Sequence, residues 1–153
     1  MTIKTLNIND HARTQFAPHG SIQVKLDGAV IQYQITGPFN IETIKAFGRT
    51  MAALLNAWVP PETFVTLSFW QESMMTSLEA FEAYRQFLEI GRSYFPQEAM
   101  NIWCVPEDLE GRRIMLPKWQ ALYEAAGYPL TVVSSPEQAQ ELVQQYLNPA
   151  TPV

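Results

Sequence analysis

The run TFVTLSFW, residues 63–70, constrains the fold of this chain more than any other stretch. Apolar and β-branched residues follow one another there with too little polar alternation to leave one face in water. A strand of this kind is typical of the interior of a sheet whose two faces are both covered by helices. The sequence therefore predicts a layered α/β domain with residues 64–70 near the middle of its sheet.

Further strands and helices alternate around this run. Two β-rich runs, SIQVKL and AVIQYQI, are joined at Asp27-Gly28, a dipeptide that favours a tight hairpin. Later strands are predicted in AMNIWCVP and LTVVS, and helices with apolar residues at three- and four-residue spacing lie between and after them. The order β-β-α-β-α-β-α-β-α predicts a mixed, mostly parallel five-stranded sheet covered by about four helices, with one antiparallel edge strand.

Capping residues indicate where the helices begin and end. Asn40 is placed to cap the first helix, and Thr76 has the capping-box spacing to Glu79 that would open the second. A third helix is predicted from Asp108 to about Ala126, with a break at Pro117. A fourth helix, opened by a capping box at residues 135–138, completes the domain.

Composition and length favour a single domain without disulfides. A chain of 153 residues is long enough to bury a core, and we divide it into an arm at residues 1–20, a domain at 21–147 and a loose tail at 148–153. The net charge of −5 opposes binding to nucleic acid or anionic lipid. We expect a cytoplasmic protein without a transmembrane segment, because the chain has no apolar run of sufficient length and no signal-peptide core.

The residues that carry chemistry in enzymes are sparse here. Cys104 lies in a strand-like run, which predicts an inert core thiol. The two histidines lie in the N-terminal arm without neighbouring ligands at metal-binding spacing, and no Gly-rich phosphate loop follows a strand. We therefore expect no catalysis, no metal and no cofactor.

Three stretches in order carry a resemblance to a known family: DGAVIQYQITGPFN, FVTLSFWQESMMTSLEAF and AAGYPLTVVSSPEQAQELV. Their order and spacing over residues 21–147 resemble the STAS family, the sulfate-transporter and anti-sigma-factor-antagonist domains that include SpoIIAA-like proteins. The resemblance implies a bacterial-type regulatory module that binds a protein partner, a regulator or a kinase, without catalysis of its own. Asn40 stands where the family usually has Asp, and residues 74–78 replace its Asp-Ser-Ser-Gly loop.

The same resemblance implies candidate phosphoacceptors in the loop after residues 64–70. Thr76 falls best on the phosphorylated serine of the family, and Ser77 or Ser73 can be reached by a small gap. A phosphoryl group there would meet the positive end of a helix dipole and would repel a docked partner. The plain alternative is that Thr76 only caps the helix.

The leading hypothesis is a protein-interaction surface formed by this loop and the first helix. Exposed methionines beside an aromatic ring make an adaptable apolar contact, which favours a partner site. Ordinary filling of a core explains the same methionines and the same ring equally well. The residues proposed for this surface are Trp70, Met74, Met75 and Asn40.

A different class of function, a small carrier or sensor for an apolar, lipid-like molecule, is the alternative. Aromatic residues make up 12% of the chain, and several could line a pocket between the sheet and a helix. A packed core would use the same residues, and the apolar stripe of residues 41–58 is also compatible with a dimer. The residues proposed for the pocket are Phe47, Trp58, Phe81 and Trp103.

Overall fold

The computed structural model describes residues 4–11, 19–94 and 100–149. In this part of the chain one sheet carries six strands in the order β1-β2-β3-β4-β5-β6. The strands are β1 (Lys4–Asn7), β2 (Ser21–Asp27), β3 (Val30–Thr36), β4 (Val65–Gln71), β5 (Met100–Cys104) and β6 (Leu130–Val133). The helices are α1 (Ile41–Ala57), α2 (Leu78–Tyr94), α3 (Arg112–Ala126) and α4 (Pro136–Leu147).

The mixed α/β architecture is confirmed, but the prediction of five strands is wrong. β1 adds a sixth strand from within the predicted N-terminal arm, pairing antiparallel with β2, and four residues were too short a pattern to reveal it. β2 and β3 form the predicted hairpin around Gly28, whose φ is 59°. Residues 1–3 and 12–18 of the arm, and residues 150–153 of the tail, lie outside the described residues.

The interior position predicted for residues 64–70 is confirmed. β4 lies between β3 and β5 and runs parallel to both, and β5 pairs parallel with β6. The sheet therefore has three parallel and two antiparallel pairings within the described chain, which is less uniformly parallel than the sequence indicated. Crossover helices between parallel strands place the carboxyl ends of β3, β4 and β5 at one edge of the molecule.

The helix ends show where local sequence signals were decisive. Asn40 caps α1 as predicted, because its side chain accepts a hydrogen bond from the backbone N–H of Thr43 at 3.1 Å. Gly127 ends α3 with a φ of 78°, in the left-handed region that glycine tolerates. The predicted break at Pro117 is wrong: α3 begins at Arg112 and continues through this proline.

The sheet separates two apolar clusters. Along β4, the side chains of Val65 and Leu67 pack with Ala139 and Val143 of α4. Trp70, on the opposite face, belongs to the larger cluster that includes residues of α1, α2 and α3. Alternate residues of an interior strand thus serve two different layers, as the alternation of side chains along a strand requires.

Candidate functional site

The loop after β4 is held between two neighbouring loops. The backbone N–H of Met74 donates to the carbonyl of Glu110 at 2.8 Å, which ties the loop to the segment before α3. The N–H of Phe39 donates to the carbonyl of Met75 at 2.9 Å, which ties it to the segment before α1. These bonds make the carboxyl ends of β3, β4 and β5 one connected surface.

Gly37 shows how close two of these segments come. A Cβ atom added at this position would lie 1.9 Å from the carbonyl oxygen of Ser73, which no side chain can tolerate. Glu72, one residue earlier in the loop, has a φ of 65°, a left-handed conformation that costs a non-glycine residue free energy. The backbone conformation of this loop is therefore imposed by its contacts with neighbouring segments rather than by the intrinsic preferences of its residues.

The three candidate phosphoacceptors differ in exposure. The Ser73 side chain is buried, and its Oγ accepts from the backbone N–H of Met75 at 3.0 Å. Thr76 is half-buried and donates to the carbonyl of Met74 at 3.0 Å. Ser77 is exposed, and its Oγ accepts from the N–H of Ala80 at 3.1 Å. Burial of Ser73 excludes it as a phosphoacceptor in this conformation.

The predicted capping box of Thr76 with Glu79 is therefore wrong. Ser77 is the residue directly before α2, and it accepts from the backbone of the third helical residue. Thr76 lies one position too early, because its backbone carries an isolated β-bridge to Phe39 and its hydroxyl is turned back into the loop. The helix begins one residue later than the capping-box spacing indicated.

The predicted contact surface is not formed as expected. Trp70 is 4% exposed and Met74 is fully buried, so neither side chain can meet a partner in this conformation. Met75 is 37% exposed. The side chain of Asn40 accepts hydrogen bonds within the cap of α1 and from the backbone N–H of His19 at 3.0 Å. Core packing accounts for Trp70 and Met74, and capping of α1 accounts for Asn40, whereas Met75 is partly exposed.

A second feature is a cavity of about 100 Å³ that reaches into the core. It lies between the sheet and helices α1, α2 and α3, and its walls are largely aromatic and aliphatic. Phe47 and Trp103, two of the four residues proposed for an apolar pocket, line it. The remaining lining includes Ile31, Tyr33, Ile35, Phe39, Met51, Phe64, Ser68, Trp70, Tyr84, Phe87, Trp119, Tyr123 and Tyr128.

Trp58 and Phe81, the other two predicted pocket residues, lie behind the walls of the cavity. Trp58 packs edge-on against Phe64, with the ring centroids 6.4 Å apart. Phe81 packs against Trp119 with the ring centroids 4.9 Å apart. Both rings therefore support side chains of the lining, Phe64 and Trp119.

Three tryptophans meet at one end of the cavity. The ring of Trp70 lies 4.9 Å from that of Trp103 and 6.2 Å from that of Trp119, measured between centroids. Tyr84 meets Trp119 edge-on at 5.1 Å. Tilted and edge-to-face contacts of this kind are the favourable arrangements for aromatic rings. Trp119 and Tyr123 were not anticipated, although their four-residue spacing on α3 places them on one helix face.

Tyrosine hydroxyls contribute the largest group of polar atoms around the cavity. Tyr84 and Tyr123 share a hydrogen bond with 2.5 Å between their oxygens, and the hydroxyl of Tyr128 donates to the carbonyl of Leu88 at 3.1 Å. Burial raises the pKa of Tyr84 to about 12, and it raises the pKa values of Tyr33 and Tyr123 as well. These phenols are therefore neutral at physiological pH.

Two further observations concern the cysteine and the possible metal ligands of the described residues. Cys104 is buried on the α4 face of the sheet, and burial raises the pKa of its thiol, which keeps it protonated. Within residues 4–11, 19–94 and 100–149, no group of three or more His, Cys, Asp or Glu side chains is placed to hold a metal ion. The same residues contain no helix with the length and apolar character needed to span a membrane.

Comparisons of the chain with protein-family models, with curated proteins and with solved structures found no match. The resemblance to the STAS family therefore remains an interpretation of the three sequence stretches that carry it. The cavity and the loop at residues 72–77 are the two features from which a function can be argued.

Proposed function

We propose that the protein is a non-catalytic binding protein, a carrier or a sensor, that takes a small, uncharged and largely apolar molecule into the cavity beneath α1, α2 and α3. The observation that carries this proposal is the cavity itself, about 100 Å³ in volume and walled mainly by aromatic and aliphatic side chains. Protein interiors ordinarily leave few voids larger than a water molecule.

The size of the cavity favours an occupant. An apolar cavity of about 150 Å³ in another protein stays dry and binds benzene. A ligand in this cavity would restore the dispersion contacts that the facing aromatic rings lack.

The walls of the cavity also indicate the charge of the ligand. The side chains that line it belong to apolar, aromatic, hydroxyl and amide residues and to one glycine, with no Asp, Glu, Lys or Arg among the described lining residues. The neighbouring phenols are neutral. A carboxylate or an ammonium group would lose its hydration without gaining an ionic partner, which is costly. An uncharged molecule fits these walls best.

The first test is native mass spectrometry on freshly purified protein, followed by titration with small apolar molecules. We expect a co-purifying small molecule, or saturable binding of a benzene-sized hydrocarbon that raises the melting temperature with ligand concentration. Ser68, which is buried and lines the cavity, offers a blocking variant, Ser68→Met. The control Gln140→Met places the same side chain on the exposed surface of α4, across the sheet from the cavity, and should bind as the wild type does.

A result without any bound molecule and without saturable binding would overturn the proposal. The same conclusion follows if a folded Ser68→Met protein binds as tightly as the wild type. Because overpacking can itself destabilise a core, circular dichroism of each variant accompanies the titration. A Ser68→Met protein that is folded and no longer binds supports the cavity as the site.

A second candidate function is a STAS-like regulatory module, and the exposure of Ser77 and Leu78 favours it. Ser77 is exposed at the first turn of α2, and Leu78 beside it is 85% exposed. A phosphoryl group on Ser77 would lie at the positive end of the helix dipole, next to an apolar side chain that a partner could cover. Thr76, which is half-buried, would need a local opening of the loop before a kinase could reach it.

Affinity capture from the native cytosol tests this second function. Baits carrying wild-type sequence, Leu78→Lys or Ser77→Asp should differ: a specific partner is retained by the wild type and lost from both variants. If all three baits recover the same proteins, residues 77 and 78 are not the partner site.

A further inference from the structure

Two buried indole groups in the cavity wall have unmet hydrogen-bonding capacity. Trp70 and Trp119 are 4% and 2% exposed, and both rings line the cavity. Within the described residues, the Nε1 atom of each is buried without a hydrogen-bond partner. Buried tryptophans usually find an acceptor for this N–H group, and an unsatisfied buried donor costs about 1–3 kcal/mol.

Within the described residues, neither indole N–H donates to the polar side chains that share the cavity wall. The Tyr84 and Tyr123 hydroxyls bond to each other, and the Tyr128 hydroxyl donates to a backbone carbonyl. The amide of Asn101 accepts from the Thr66 hydroxyl at 2.5 Å and donates to the carbonyl of Pro129 at 2.9 Å. The two indole N–H groups therefore differ from these bonded side chains in that neither has an acceptor in the described part of the chain.

We infer that the ligand of the cavity is an uncharged apolar molecule carrying a hydrogen-bond acceptor, a carbonyl or ether oxygen, to which the indole N–H groups of Trp70 and Trp119 donate. This inference rests on the proposed binding function and specifies its ligand class. The two rings pack against each other, with their centroids 6.2 Å apart, and both line the same cavity, so a small molecule bound there lies beside both.

A ligand with a carbonyl group and a plain hydrocarbon differ in what they lose and gain on entering the cavity. A carbonyl group that leaves water for a cavity without donors loses its hydrogen bonds to water, and binding is weakened. A carbonyl that meets one or two buried indole donors recovers those bonds and satisfies the protein's own donors at the same time. The cavity should therefore accept a ketone at least as well as a hydrocarbon of the same shape.

The test uses cyclopentanone and methylenecyclopentane, which differ only in C=O against C=CH₂ and are close to benzene in size. Binding to the full chain is measured by titration, and the indole N–H signals are followed by ¹H–¹⁵N correlation spectra. The Trp70→Phe and Trp119→Phe variants assign the two signals. We expect the ketone to bind at least as tightly as the hydrocarbon and to move one or both signals downfield.

The variants give a second measurement that does not depend on cavity size. Replacing a donating tryptophan by phenylalanine should lower the affinity for the ketone, relative to the hydrocarbon in the same variant, by about fivefold. Taking the ratio of the two ligands cancels the effect of the added volume. If a variant fails to fold, the wild-type affinities for the two molecules decide alone.

The outcomes separate a failure of the proposed binding function from a failure of the assigned ligand class. If neither molecule binds, the proposed binding function fails and this inference fails with it. If the hydrocarbon binds more tightly than the ketone, or the indole signals of Trp70 and Trp119 stay in place on ketone binding, the binding function stands and the assigned ligand class is overturned.

Discussion

Tyr84 of α2 and Tyr123 of α3 lie with their hydroxyl oxygens 2.5 Å apart, joining two helices across 39 positions of sequence. Their rings are stacked, with centroids 6.2 Å apart. The bond lies at the boundary of the cavity, and it needs at least one of the two phenols to keep its proton. Loss of the tyrosine protons at alkaline pH therefore weakens the packing of α2 on α3.

Stability is expected to fall as the pH rises from about 10 to about 12. Burial raises the pKa of Tyr84 in the folded state to about 12, above the value of 10.0 for an exposed tyrosine. A pKa raised on folding contributes stability that is complete below the unfolded pKa and is lost as pH climbs through the folded value. Urea unfolding at a series of pH values, with tyrosinate absorbance recorded alongside, measures this loss.

Tyr84→Phe provides the matched control for the pH series. The variant should show a shallower decline over the same interval, because one raised pKa has been removed. Stability of the wild type that stays level up to pH 12 would contradict the burial of these phenols.

Gly37→Ala should destabilise the fold by at least 2 kcal/mol, because a Cβ there would meet the Ser73 carbonyl at 1.9 Å and the backbone must move. The opposite sign is expected for Gly48→Ala. Gly48 lies within α1, and a Cβ there has nothing within 4 Å, so alanine should stabilise the helix by about 0.5–1 kcal/mol. Chemical denaturation of the two variants is the measurement, and equal effects at both positions would refute the close approach.

Ser77→Ala should lower the free energy of unfolding by about 1 kcal/mol, since the N–H of Ala80 loses its acceptor. Ser77→Asp should retain most of the stability, because aspartate caps helices well and its charge suits this end of the dipole. Thermal and urea unfolding compare the three proteins. A neutral effect of Ser77→Ala would mean that another group satisfies this end of α2.

Cys104 should resist thiol-specific reagents in the native protein and react once the protein is unfolded. The side chain is 3% exposed, and burial raises the pKa of its thiol. Labelling rates are compared with those of glutathione at the same pH, without and with urea. Labelling of the native protein at a rate near that of glutathione would contradict the burial of this strand.

Much of the fold could be predicted from local patterns. The apolar run ending at Trp70 correctly indicated an interior strand, and Asn40 and Gly127 marked helix ends through their capping preferences. β1 was missed because its pairing with β2 depends on a contact distant in sequence rather than on a pattern of its own. The start of α2 shifted by one residue because Thr76 is engaged by backbone bonds that the sequence does not show.

The site was harder to predict than the fold. Apolar residues at Trp70 and Met74 fit a contact surface and a core equally well, and only the packing under α3 decides between them. The cavity arises where Phe47, Trp103 and Trp119 fail to fill the space between sheet and helices. Whether side chains fill this space depends on the distance between the sheet and the helices. The periodicity of apolar residues in the sequence does not determine that distance.

The division of the core by the sheet has a practical consequence. The face under α4 has its own cluster around Val143, on the side of the sheet away from the cavity. Gln140 and Gln144 on α4 are exposed and point away from that cluster, so a dye or a surface tether could be attached there. The protein could then serve as an immobilised receptor whose opposite side is remodelled for new small molecules.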